Sequence, residues 1–256
     1  MSFLKKIFGQ TIKVKQDISI RAQFRDYAFF EKELTRINKW LNTDTEDDKI
    51  YLQENDSFLP SHYYGRFSTD EKKIEVLYSM GKPIEEVRAV FLEALPNFIK
   101  GWHDYFQNYS QSLKVISLAI LLEIPDKQFM DLVLIIEKTN NNNILKRWGP
   151  GALIAFLINS KKKEFVVPEK VFIPELYQSL FDLRKLEKTE AEKALEKYLG
   201  SWYKKNKNAA WYENHKKSWG YSGYWSWEAG AVAKILELDA KYFKNNPYFP
   251  FDLVYS

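Results

Sequence analysis

The segment Tyr221-Ser222-Gly223-Tyr224-Trp225-Ser226-Trp227-Glu228-Ala229-Gly230-Ala231-Val232-Ala233-Lys234-Ile235-Leu236 constrains the fold of this chain more than any other. An aromatic turn runs into a run of small residues, and on helical spacing Tyr221, Trp225, Glu228, Val232 and Ile235 share one stripe. That stripe is apolar except for Glu228. A carboxylate buried without a partner is costly, so the fold has to bring it donors from a backbone turn or an Arg.

Helical periodicity recurs along the rest of the chain. Ile20, Phe24, Tyr27, Leu34, Ile37 and Leu41 keep a 3.6-residue rhythm with Glu31, Glu33, Arg36 and Lys39 between them, which predicts an amphipathic helix. Asp44, Glu46, Asp47, Asp48, Glu54 and Asp56 follow, opposed only by Lys49, and read as a loop with a short polar helix. Ser68 or Thr69 is placed to cap a helix over Glu71 to Met80, and Gly81 to end it in the left-handed conformation. Pro83 opens a helix in which Val87, Phe91, Ala94, Phe98, Trp102 and Tyr105 align, with a kink or break expected at Pro96.

Ser110 to Ile124, Pro125 to Lys138 and Ile144 to Lys162 each centre on an apolar cluster, as expected of segments in the middle of a helical stack. Their β-branched residues would also suit buried strands, but the gap from Leu122 to Leu132 barely offers the crossover that parallel strands need. Lys161 to Pro174 reads as an extended surface connection. Leu176, Leu180, Leu183 and Leu186 then carry a helix from Glu175, and Lys188 to Lys207 carries a solvated Glu/Lys face. The tail Asn245 to Asp252, with Pro247 and Pro250, is expected to be non-helical and to lie on the body as an ordered aromatic strap. The expected fold class is all-α: antiparallel helix pairs stacked into a single compact body, with a soft boundary near Thr139 to Asn143 between residues 1–139 and 140–256.

Composition narrows the function. A content of 45% hydrophobic residues, 16% aromatic, over 256 residues is ample for a packed core. The absence of Cys removes disulfides, thiol nucleophiles and thiolate metal sites, and makes the cytoplasm the default compartment. No signal peptide is expected, because Met1 to Ile12 has no continuous apolar stretch. Val115 to Leu122, Leu132 to Ile136 and Ala152 to Ile158 fall far short of the roughly 20 apolar residues that cross a bilayer, so no membrane partner is expected. With 38 basic against 34 acidic residues, charge gives little pull toward nucleic acid.

Catalytic patterns are sparse. His62, His103 and His215 are far apart, and none opens a His-Glu-x-x-His sequence; His103-Asp104 comes nearest. Gly149-Pro150-Gly151 lacks the Lys-Ser/Thr of a phosphate loop, and Gly220-Tyr221-Ser222-Gly223 is only a faint nucleophile elbow without a nearby His or preceding strand. Two alternatives stay open. Glu228 with a neighbouring Tyr would serve as the acid of an enzyme in an aromatic pocket, against a structural role as a hydrogen-bond acceptor. Trp211, Tyr212, Trp219, Tyr221, Tyr224, Trp225 and Trp227 beside Lys204, Lys205, Lys207, Lys216 and Lys217 would hold single-stranded nucleic acid, against ordinary core packing.

Tyr221-x-Gly223-Tyr224-Trp225-Ser226-Trp227-Glu228, then Ala229-x-Ala231-Val232-Ala233-Lys234-Ile235, then Asn246-Pro247-Tyr248-Phe249-Pro250-Phe251-Asp252-Leu253, resembles the PoNi family of immunity proteins against polymorphic nuclease toxins. Arg25-Asp26-Tyr27 and Tyr78-Ser79-Met80-Gly81-Lys82-Pro83-Ile84-Glu85-Glu86-Val87-Arg88 are similar to the same family, so the resemblance covers most of the chain. Trp227 departs from an expected Phe, and Gly230 from a commoner Ala. The resemblance implies an all-α, non-enzymatic protein without a cofactor that binds a cognate DNase toxin of interbacterial competition and blocks it. Tyr221, Gly223, Tyr224, Trp225, Glu228, Pro247 and Pro250 are then structural. A nuclease cleft is cationic, which makes Asp44, Glu46, Asp47, Asp48, Glu54 and Asp56 the candidate toxin-binding residues, with no direct contact to nucleic acid.

Overall fold

Asp26 starts the first helix: its side chain accepts the Phe29 N–H at 2.9 Å, and α1 runs over Tyr27–Glu54. In this computed structural model residues 20–55, 58–102, 108–141 and 149–255 are described. The acidic stretch expected as a loop instead continues α1, because Asp48 is paired with Arg66 and His62 of the next helix. That helix, α2, spans Pro60–Ser79, with Pro60 in its first turn, where its missing N–H costs nothing. Ser68 and Thr69 are therefore not caps. Inside α2 their hydroxyls donate to the carbonyls of Tyr64 and Gly65, four residues back.

Gly81 ends α2 as expected. At φ 79° it lets its own N–H reach Tyr78 O at 3.0 Å and the Lys82 N–H reach Leu77 O at 3.1 Å. From Pro83 the chain turns back into α3 (Ile84–Lys100), a single helix that runs through Pro96. The aligned position Tyr105 lies outside the described residues, as do His103 and Asp104. Helices α1, α2 and α3 pack side by side in sequence order.

The centre of the body is α4 (Tyr109–Leu121), where Leu113, Val115, Ile116, Ser117, Leu118, Ala119 and Leu121 are all buried. It packs against α6 (Gly151–Asn159), another all-round apolar helix, and against α9 (Trp227–Ile235). Between α4 and α6 comes α5 (Asp126–Asn141). It buries Phe129, Leu132, Val133 and Ile136 and exposes Leu134, so it flanks the core rather than filling it. Of the expected boundary, Asn142 and Asn143 lie outside the described residues, as does the start of the expected helix at 144–148.

Helix α7 covers Pro174–Phe181 and stops earlier than its leucine spacing predicts; Leu183 falls in a 3-10 turn, Asp182–Lys185, and Leu186 caps it. Helix α8 spans Lys188–Lys205 with Leu195, Tyr198, Leu199 and Trp202 inward. No strand occurs among the described residues. The protein is an all-α, compact helical body.

Two expectations fail in the C-terminal part. The helical stripe from Tyr221 does not form before Trp227, because Gly220 and Gly223 take φ of 86° and 122° and Ser222 is tied to α2 instead. The tail does lie on the body, with Phe243, Phe249 and Leu253 buried, but it is not wholly extended. Pro250 caps a one-turn helix, α10 (Phe251–Val254), which tolerates a proline because its first N–H groups have no intrahelical partner. Gly230 lets α10 approach α9: a Cβ there would stand 2.6 Å from Pro250 Cγ. Arg21 closes the assembly, donating to Tyr78 O and Lys82 O at the end of α2 and pairing with Asp252 at 2.6 Å.

Candidate functional site

Two regions hold the residues singled out by the sequence. The first is built where the turn before α9 meets α2. Ser79 Oγ donates to Ser222 O at 2.6 Å and accepts the Trp225 indole N–H at 2.9 Å. Gly223 sits inside this junction, and a Cβ would collide with both Ser79 Oγ and the Trp225 ring. Tyr221, Tyr224, Trp225 and Trp227 are all buried, packed on one another and on Tyr78 and Phe24 rather than turned to the outer surface. Stacked bases would find no free platform on these four rings. Trp219 is different: it is 59% exposed and lies over Arg36, which also faces Trp40.

Glu228 stands in the first turn of α9, where the helix dipole favours an anion. Its Oε1 accepts from Trp202 Nε1 at 2.7 Å, Ser226 Oγ at 2.8 Å and the Tyr198 phenol Oη at 3.0 Å. These neutral donors explain how the stripe tolerates a carboxylate without an Arg. Burial and the charge of Glu228 raise the phenol of Tyr198 well above its ordinary value, so it stays a donor. Ser222 Oγ donates to the Glu75 carboxylate, which Lys114 also engages, rather than to a His, so the faint elbow gains no Ser-His pair. Pro247 lies in the turn before Tyr248, whose carbonyl accepts the Ser226 N–H at 2.7 Å.

Behind the turn, Lys114 bridges Glu75 at 2.7 Å and Glu71 at 3.3 Å. Burial pulls the Lys114 ammonium down, but the two carboxylates outweigh it and hold it above its ordinary value. Glu71 is raised, first by burial and then by Glu75, against the pull of Lys114. No group of three or more His, Cys, Asp and Glu suited to a metal ion occurs among the described residues.

The second region is the C-terminal end of α1. Asp44, Glu46, Asp47, Asp48 and Glu54 all lie on this helix, while Asp56 falls outside the described residues. Asp47 is exposed, whereas Asp48 is turned toward α2, with its Oδ1 2.6 Å from His62 Nε2 and its Oδ2 on Arg66. The six acids are therefore not equivalent. Sequence reasoning missed what lies among them: Ile50 is 60% exposed, Leu52 46% and Leu59 62%. Asp47, Ile50 and Tyr51 fall at i, i+3 and i+4, so an acid and two apolar groups share a face. The signal was present as Ile50-Tyr51-Leu52 set within an otherwise acidic run.

The family described as "PoNe immunity protein (PoNi), N-terminal" matches residues 11–134, and that described as "PoNe immunity proteins (PoNi), C-terminal" matches residues 150–253. Among solved structures, the chain is similar to "The Crystal Structure of Protein PA2201 from Pseudomonas aeruginosa" at a TM-score of 0.69 and 15% identity, covering 93% of this chain and 90% of that one. That likeness is one of fold. No curated protein gives a significant match.

Proposed function

The chain belongs to the PoNe immunity protein (PoNi) family, and on that premise we propose that it binds a cognate DNase toxin in the cytoplasm of the cell that makes it. In this reading occlusion alone neutralises the toxin, without chemistry of the inhibitor's own. The supporting observation is that Ile50 and Leu52 near the end of α1 and Leu59 just before α2 are all exposed, as is Asp47. An interface centre needs apolar anchors of this kind. A nuclease cleft carries positive charge to hold phosphates, so Asp47, with Asp44, Glu46, Glu54 and Asp56 near it in sequence, would steer the encounter. Residues 1–139 and 140–256 act in this reading as two halves of one binder.

The motif residues Tyr221, Gly223, Tyr224, Trp225, Glu228, Pro247 and Pro250 have a scaffolding role here. Co-expression with the toxin encoded beside this protein is expected to restore growth, and unchanged killing despite folded protein would end the proposal. Asp47→Lys is expected to slow association several-fold, more at low salt than at high. Asp48 is unsuited to that test, since reversing it also breaks the contact with Arg66 and His62.

A further inference from the structure

A cavity of about 160 Å3 opens beside Glu228, and none of its walls comes from the C-terminal end of α1. Its size is close to the ~150 Å3 of an engineered cavity that admits benzene. Two features set its chemistry. The first is charge: Glu75 and Lys114, which also line it, satisfy each other, but no Lys, Arg or His among the described residues pairs with Glu228. All three hydrogen bonds that described residues make to Glu228 end on Oε1, and no donor to Oε2 occurs among the described residues. The second is aromatic surface, since Tyr177, Trp202, Trp225 and Trp227 also line the space. A buried carboxylate without a counter-cation is costly, and ring faces attract cations.

From this geometry we infer that the cavity is a receptor for an alkyl cation, a guanidinium or a primary ammonium, held between Glu228 Oε2 and the aromatic walls. A metal ion would need more oxygen ligands than one free carboxylate oxygen supplies. An apolar guest would leave Glu228 uncompensated. The cation has two sources, a free small molecule or a basic side chain of a bound protein, and the chemistry of recognition is the same for both.

The probe is methylguanidinium chloride, with methylurea as its neutral isostere and sodium chloride as the ionic-strength control. The indole N–H signal of Trp202, which donates to Glu228, is expected to shift saturably with methylguanidinium and not with the other two. Glu228→Gln keeps an acceptor oxygen for the three donors and is expected to weaken the response at least tenfold. Ala209→Trp, a half-buried position on the cavity wall, is expected to abolish it by filling the space while leaving the buried network intact. No saturable shift in wild type, an equal shift with methylurea, or full binding by folded Glu228→Gln would overturn the inference. Source is read separately. If saturating methylguanidinium weakens capture of the toxin, the cation is a partner side chain; if capture is unaffected, it is a free molecule. A protein that binds no toxin still reports on the cavity, so failure of the immunity reading and failure of this one are distinguishable.

Discussion

The turn before α9 and the C-terminal end of α1 are opposites. In the turn the aromatic residues and Glu228 are buried and the segment is tied to distant parts of the chain: Ser79 holds Ser222 O and the Trp225 indole, and Trp202 and Tyr198 hold Glu228. Near the end of α1 Asp47, Ile50 and Leu52 face solvent, as does Leu59 before α2, and these three apolar residues contribute nothing to the core. The most recognisable sequence is thus buried in the fold, and the part proposed to meet a partner carries a plain pattern of acids and aliphatics. Packing admits few substitutes, whereas an interface has to match only its own partner.

Gly223→Ala tests the first half of this contrast most severely. It forces a side chain into φ 122° and against Ser79 and Trp225, so a loss of about 3 kcal/mol is expected in urea unfolding. A folded variant of unchanged stability that fails only to bind toxin would reverse the assignment of roles. Glu228→Leu comes next. It strands the Trp202, Tyr198 and Ser226 donors, and a destabilisation on the order of 2 kcal/mol is expected, larger than that of Glu228→Gln.

At the other region, Ile50→Asp combined with Leu59→Asp is expected to change stability by less than about 0.5 kcal/mol. Toxin affinity, read by calorimetry, is expected to fall about tenfold, equivalent to about 1.4 kcal/mol. Unchanged affinity would move the interface elsewhere. The smallest effect is one of pH. Burial, and then Lys216, lower the His215 imidazole below its ordinary 6.5, so the unfolded chain binds a proton that the folded one refuses. Stability is therefore full above 6.5 and declines as pH drops from there through the folded value. Replacing His215 with Gln is expected to flatten that part of the curve, and an identical slope in the variant would show that other groups set it.

The all-α class, the central α4 and the buried strap were legible because their patterns are local: apolar residues on all sides, a Gly at a helix end, aromatics around prolines. The errors share a different origin. The run from Asp44 reads as a loop on local grounds, and only the contact of Asp48 with Arg66 and His62 shows why α1 continues. Tyr221 and Trp225 do fit a helical stripe, but Ser79, more than a hundred residues earlier, pulls the backbone of Ser222 into another path. The cavity beside Glu228 was hidden for the same reason. It is walled by side chains from separated helices and connections, and no spacing rule brings them together.

The clasp between Arg21 and Asp252 joins residues 231 positions apart, and Arg21 also grips the end of α2. During synthesis the earlier helices must wait on the ribosome with this corner open until the final turn emerges. Contacts of such long separation close slowly. An interrupted translation product would keep greasy surface uncovered and attract proteases, so a cell relying on this molecule for protection would accumulate finished copies rather than fragments.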